Sequence, residues 1–279
     1  MVSVIVNNKN IIESDIYTDV HHFSLYIYYS LLFFNMLELN KIYCMDVLEG
    51  LRQLDDESID LIITSPPYNK AGLNGKQKGK KWVGTIDYGG DFNIDNRPET
   101  DYQEWQIEIL NECFRVLKHD GSMFYNHKNR IIKGAGEISN PYLWIIKSPF
   151  KVRQEIIWDR GSTNDVNRRR FLPCTEKIFW LTKSEKPKFD RKIDTPFKKE
   201  VWSFPFNNNS EHPAPFPIAM PDNIIHCIKE NDENLSILDP FMGSGTVAIS
   251  ALKHDCNFIG FELLPEYIEM AEKRIREYN

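Results

Sequence analysis

The chain has no C-x-x-C pair, and its five cysteines (Cys44, Cys113, Cys174, Cys227, Cys256) are scattered and odd in number. That excludes a disulfide framework and the common zinc-site spacings, and it points to a reducing, cytoplasmic setting with no bound metal. No apolar run is long enough to cross a bilayer, because the aromatic stretch from Phe23 to Phe34 falls well short of about 20 residues. That stretch also lacks the basic n-region and small-residue cleavage site of a secretory signal. Neither G-x-G-x-x-G nor G-x-x-x-x-G-K-[ST] occurs. An overall basic excess is missing too: Lys and Arg number 34 against 40 Asp and Glu, for a net charge of −6. The average points away from nucleic acid, but an average conceals local clusters.

What is present fits a folded domain. Hydrophobic residues make up 42% and charged residues 27% of 279 residues, enough for a sizeable core. Residues 1–35 differ from the rest, with one Lys and no Arg. We expect them to be an upstream extension, with Met36 as the natural start and 36–279 as the domain.

From Leu37 the pattern alternates strands and helices. Strands are expected at 41–44, 59–63, 122–125, 152–158, 176–182, 235–239 and 257–261. Helices are expected at 46–54, 101–118, around 139–147, 221–229, 247–253 and 265–277. His119-Asp120-Gly121 reads as the stop of the second helix, where Trp105, Ile109, Cys113 and Val116 recur at helical spacing. Strand–helix–strand units joined by tight connections predict an α/β fold with a parallel sheet.

Two turns at strand ends carry the chemistry. The first is Thr64-Ser65-Pro66-Pro67-Tyr68. Two prolines stiffen the backbone and donate no N–H, so this turn offers carbonyl and hydroxyl acceptors beside an aromatic ring. A flat, amine-bearing heterocycle needs such a surface. The second is Asp239-Pro240-Phe241-Met242-Gly243-Ser244-Gly245-Thr246, followed by a helix, a strand and Glu262. Gly243 and Gly245 allow a tight turn that comes close to a ligand, and an acid at the next strand tip can take two ribose hydroxyls. With no Lys in the turn, phosphate is poorly served. The ligand is better matched by an adenosine with a non-phosphate tail, such as S-adenosylmethionine.

Positive charge gathers in three places. Residues 69–99 hold six glycines and five lysines, among them Lys76, Lys78, Lys80 and Lys81. A patch after the third strand contains Lys128 and Arg130. The segment 147–199 includes Arg168, Arg169 and Arg170. A basic surface beside a cleft concentrates a polyanion. We expect a DNA-contacting loop at about 69–100 and a target-recognition region at about 160–200. His212, in a run with three prolines, reads as a packing residue.

The motifs D-P-F-M-G-S-G-T and T-S-P-P-Y resemble the cofactor and catalytic motifs of the DNA amino-methyltransferases. The catalytic motif comes first, as in the circularly permuted β group of that family. H-P-A-P-F-P at 212–217 is similar to the segment before that group's glycine motif. The resemblance covers about 37–279. It implies a Rossmann-like methyltransferase fold with a seven-stranded, mostly parallel sheet and helices on both faces. It implies transfer of a methyl group from S-adenosylmethionine to the exocyclic amine of a base flipped out of double-stranded DNA. Carried over, Asp239, Pro240, Phe241, Gly243, Ser244, Gly245, Thr246 and Glu262 hold the cofactor, with Phe216 and Asp46 nearby. Ser65, Pro66, Pro67 and Tyr68 hold the base, Tyr68 by stacking on it. A Ser at the first motif position favours N4 of cytosine, with N6 of adenine as the alternative. The resemblance also suggests a cognate restriction endonuclease acting on the same site, and a homodimer; no membrane partner is expected.

Overall fold

The computed structural model describes residues 37–69, 97–131, 137–161, 163, 168, 170–204, 216–231 and 233–278. The expectations for residues 1–35 and for Lys76, Lys78, Lys80, Lys81, Arg169 and His212 lie outside them. The described residues belong almost entirely to one compact unit, Glu38–Asn279.

Ten strands are described: β1 (Lys41–Cys44), β2 (Ile59–Thr64), β3 (Leu117–His127), β4 (Arg130–Ile131), β5 (Ile138–Ser139), β6 (Lys151–Asp159), β7 (Thr175–Thr182), β8 (Val201–Ser203), β9 (Ser236–Asp239) and β10 (Asn257–Glu262). Six helices accompany them: α1 (Val47–Arg52), α2 (Glu99–Val116), α3 (Tyr142–Ile145), α4 (Ala219–Ile228), α5 (Thr246–Lys253) and α6 (Pro265–Tyr278). The main sheet runs β1-β10-β9-β2-β3-β7-β6-β8, and β4 pairs with β5 apart from it. Neighbours are parallel except that β7 is antiparallel to both β3 and β6. The sheet therefore has eight strands among the described residues, one more than the resemblance implies. The addition is β8, where only Trp202 of three residues is buried. A strand that short carries no readable alternation.

β2 is buried at all six positions, as a central parallel strand covered on both faces should be. Leu61 and Ile63 join Phe124 and Ile237 in one apolar cluster with α4 and α5. Tyr125, one residue on from Phe124, faces the other way, donating to Gln106 of α2 at 2.8 Å and accepting from Trp144 of α3 at 3.1 Å. Helices thus cover both faces, and α6 closes the edge against α5, β1 and β10.

Two stretches differ most from the expected elements. α2 ends at Val116, and the next eleven residues are all strand. Leu117 is fully buried and pairs with Ile59, and Lys118 reaches the buried Asp60 at 2.6 Å. Gly121 does not stop a helix; a Cβ there would lie 2.8 Å from the Asp60 carbonyl, so it is a close backbone approach inside the strand. The helix expected around 139–147 is only the four residues of α3, beginning after Pro141.

Gly50 on α1 packs on β10, and a Cβ there would sit 2.6 Å from the Phe261 ring, which is fully buried. Replacing Gly by Ala in a helix gains about 1 kcal/mol of propensity. Overpacking a rigid aromatic costs about 1–3 kcal/mol. Gly50→Ala should therefore lower the urea unfolding midpoint; an unchanged or higher midpoint contradicts the close packing.

Candidate active site

β2 leads through α2 to β3 on one side, and β9 leads through α5 to β10 on the other. The two strands are neighbours, so their connections leave in opposite directions and open a crevice at their carboxyl ends. In open parallel sheets this switch point is where ligands bind. Both turns singled out in the sequence lie there. They are joined directly: Thr64 Oγ1 donates to Asp239 Oδ1 at 2.8 Å across 175 residues of chain, in the buried interior.

On the β9 side, Asp239 Oδ1 also accepts from the Phe241 amide at 3.0 Å. Gly243 and Gly245 have φ of 51° and 78°, the left-handed region that other residues enter at a cost. A Cβ on Gly245 would lie 2.9 Å from that of Ala271, so the turn also needs glycine for space. Glu262 Oε2 accepts from the Gly243 amide at 2.9 Å, and Oε1 from the amides of Leu263 and Leu264 at 2.8 and 3.0 Å. Phe241 is partly exposed and meets the Trp105 ring edge-on at 5.8 Å. Pro240 is buried, and Phe216 packs against the cluster under α4 and α5.

Three residues expected to hold a cofactor have structural work as well. The Ser244 and Thr246 hydroxyls face Arg274, whose Nη1 donates to Ser244 Oγ at 2.8 Å and to Thr246 Oγ1 at 3.4 Å. These two brace the turn against α6. Asp46 follows β1 at the same edge of the sheet, and its Oδ1 caps α1 by accepting from the amides of Leu48 and Glu49 at 2.9 and 3.4 Å.

Burial raises the Asp239 carboxyl to about 7, against the bonds from Phe241 and Thr64, and the Glu262 charge adds to the rise. Burial raises Glu262 too, although three backbone amides oppose it. Among the described residues, the cation bonded to this turn is Arg274, already engaged by Ser244 and Thr246. Two acids at adjacent strand ends suit hydroxyl and ammonium groups and serve phosphate poorly.

An Asp whose folded value lies above its unfolded one binds protons preferentially when folded. Its favourable contribution is complete below the unfolded value, near 3.9, and is lost as pH rises through about 7. Asn at 239 keeps an oxygen for Thr64 and Phe241 but does not titrate. Ligand-free wild type should therefore lose stability relative to Asp239→Asn between about pH 4 and 7, by an amount on the order of a few kcal/mol. Urea unfolding of both proteins across that range checks it; a constant difference contradicts it.

On the β2 side the turn is held by a buried polar network. Ser65 Oγ and Tyr68 Oη lie 2.8 Å apart, and Tyr68 Oη donates to Glu176 Oε2 at 3.0 Å. Asn126 Nδ2 donates to Tyr68 Oη at 2.9 Å and to Glu176 Oε2 at 3.1 Å. Glu176 Oε1 lies 3.3 Å from Arg160 Nη1. The carboxylate can only accept, which sets the orientation of the Asn126 amide. Its Oδ1 is then buried with no hydrogen-bond partner among the described residues. Burial, then the Glu176 charge, raises the Tyr68 phenol well above its usual value, so it stays protonated.

Behind the turn, His127 Nδ1 lies 2.8 Å from both the amide and the carbonyl of Lys128, and its Nε2 lies 2.8 Å from Tyr102 Oη. Tyr102 in turn donates to the Pro67 carbonyl at 2.7 Å, so that carbonyl serves the fold. The Tyr68 ring is buried and lies 4.5 Å from the His127 ring. Asn69 and Arg97 pair through two hydrogen bonds, at 2.9 and 2.7 Å, and so tie together the two ends of the segment between them.

The sequence reading missed Glu176 and Asn126. Asn126 lies on β3, which pairs with β2, and Glu176 on β7, which pairs with β3; both pairings exist only in the fold, and a lone Glu at a strand start is not a signal. Arg130, expected to contact DNA, is a correction. It is buried, makes a two-pronged pair with Glu99 at 2.8 and 2.9 Å, and stacks over Tyr102 at 4.6 Å. Arg168 and Arg170 are exposed, and Lys128 Nζ lies 5.9 Å from the Tyr68 ring centre.

Comparison with known proteins agrees with this arrangement. The model of the DNA methylase family matches residues 59–273. The type II methyltransferase M.BglII from Bacillus subtilis is 30% identical over 266 residues, covering 84% of this chain and 68% of that protein. M.HpaI from Haemophilus parainfluenzae is 31% identical over 264 residues, covering 86% and 75%. The solved structure of the PvuII DNA methyltransferase, named as cytosine-N4-specific, superposes with a TM-score of 0.67 at 23% identity, covering 87% of this chain and 92% of that one. With the glycine turn and the Ser-Pro-Pro-Tyr turn meeting at one switch point, the chain belongs to the DNA methylase family, in its β group of amino-methyltransferases.

Proposed function

We propose that this protein methylates N4 of a cytosine flipped out of duplex DNA, taking the methyl group from S-adenosylmethionine. The observation that carries the reading is the Thr64–Asp239 hydrogen bond, which sets the amine-accepting turn edge to edge with the glycine turn. Glu262 suits a ribose diol, and the chemistry of the turn suits an ammonium-bearing tail. Phe241 and Phe216 are the apolar neighbours available to an adenine ring, and Asp46 lies at the same edge. S-adenosylmethionine, when bound, supplies a methyl group activated on a sulfonium.

The chain's own part is positioning, and well-oriented reactants gain several kcal/mol from it, about 7–11 at best. An exocyclic amine is a weak nucleophile because its lone pair is delocalised into the ring. Ser65 Oγ and the Pro66 carbonyl accept its two N–H groups and turn the lone pair toward the methyl group. The base must first leave the duplex, at a cost of a few kcal/mol. Exposed Arg168 and Arg170, with Lys128 beside the turn and the lysines of 70–96, are placed in this reading to bind phosphates. The preference for cytosine rests on Ser at position 65 and on the name of the PvuII relative. A cognate restriction endonuclease and a dimeric state belong to the same reading, as does the assignment of 160–200 to target recognition.

The protein should transfer label from S-adenosylmethionine to unmodified DNA, and nucleoside digestion should yield N4-methylcytosine. N6-methyladenine would instead place the protein with the adenine enzymes, and no incorporation would overturn both readings. Ser65→Ala should lower transfer about 100-fold or more while leaving cofactor affinity within about two-fold; equal losses in both would move Ser65 to the cofactor.

A further inference from the structure

We propose that Glu176 takes up, through Tyr68 and Ser65, the proton that the methylated amine must lose. The inference rests on the preceding reading of Ser65 as an acceptor for the amine.

The network has a direction. Glu176 Oε2 is only an acceptor, so Tyr68 donates to it. The Tyr68 oxygen then has two lone pairs, one taken by Asn126 Nδ2 and one by the Ser65 hydroxyl proton. Ser65 then has its own lone pairs directed away from Tyr68, one of them shared with Asn126 Nδ2 at 3.4 Å and the other on the side an amine would approach. Two short steps, 2.8 and 3.0 Å, connect Ser65 to the carboxylate.

The step balances. The nitrogen–methyl bond forms with the carbon–sulfur pair left on sulfur, and the nitrogen then carries one proton too many. That proton passes to Ser65 Oγ, the Ser65 proton to Tyr68 Oη, and the Tyr68 proton to Glu176 Oε2. The product amine is neutral and Glu176 is a carboxylic acid, which returns the proton to water when the product leaves. A serine hydroxyl alone is too weak a base for this, and a buried phenol held protonated is no better. Glu176, 7% exposed, is the carboxylate that accepts from Tyr68, whereas Asp239 meets this turn at Thr64. A carboxylate placed so deep is costly to the fold, and its contacts to Arg160, Asn126 and Tyr68 hold it within two bonds of Ser65. Glu176 is a positioning residue and proton sink acting through its neighbours.

The test compares wild type with Glu176→Gln, Tyr68→Phe and the double variant. It measures single-turnover methylation of unmodified plasmid DNA with labelled S-adenosylmethionine, alongside the affinities for cofactor and DNA. Each single substitution should slow transfer about 100-fold, with both affinities held within about two-fold. The double variant should be no slower than the worse single one, because either change breaks the same relay. Formate added to Glu176→Ala should restore transfer in proportion to its concentration. Wild-type transfer by Glu176→Gln overturns the inference, as do multiplying losses or a loss confined to binding. If Glu176→Gln fails to fold, Tyr68→Phe decides alone: it leaves Glu176 in place, and an unchanged transfer rate overturns the relay. No methylation of DNA by the wild type overturns the proposed reaction itself, a result distinct from these.

Discussion

Thr64 and Asp239 close the molecule at its switch point. Their hydrogen bond is buried, so losing Asp239 leaves the Thr64 hydroxyl unpaired where water cannot replace it, at a cost of about 1–3 kcal/mol. Because Thr64 ends β2 and Asp239 ends β9, the bond sets the height of each turn relative to the other. The same Asp239 oxygen holds the first amide of the glycine turn, so β2, β9 and the turn share one acceptor. The rise of its carboxyl to about 7 is the cost of having that acceptor in the interior.

Acids recur around this point, and each is stabilised differently. Asp239 relies on one hydroxyl and one amide, Glu262 on three amides, and Glu176 on Arg160, Tyr68 and Asn126. None lies on an apolar face for packing's sake. Desolvated acids beside an open crevice are a common mark of a functional site, because a fold does not bury them for stability alone. Asn126 adds a buried oxygen with no hydrogen-bond partner among the described residues to the same region.

Basic residues divide by what the fold does with them. Arg130 and Arg274 act inside it, one clamped by Glu99 and one bracing the glycine turn. Several lysines counted toward a basic surface are partly committed as well, Lys188 to Glu233 at 2.6 Å and Lys192 to the Lys229 carbonyl at 2.8 Å. Arg168 and Arg170 remain exposed. The positive charge that a DNA partner can meet is therefore smaller than a count of residues 147–199 suggests.

Local rules were enough for much of the chain. The strand at 41–44 stands where its residues placed it, and β2, β9 and β10 match their readings to within a residue, because buried parallel strands are short apolar runs between turn residues. Asp46 before a helix and glycines at left-handed φ follow from side-chain and backbone chemistry that acts over a few residues. The two motifs, and the family they resemble, were legible for the same reason. Contacts across the chain were not. Leu117 became strand because Ile59 was there to pair with it, and Gly121 matters because another backbone passes close by. Arg130 looked like a surface cation until Glu99 and two aromatic rings enclosed it. Asn126 and Glu176 reach the Ser65–Tyr68 pair only because β3 runs beside β2 and β7 beside β3. The sequence by itself determined most of the strands and helices and the two turns, whose causes are local. Only the tertiary structure decided which polar atoms share the buried space between those turns, because hydrogen bonds depend on distance in space and not on separation along the chain.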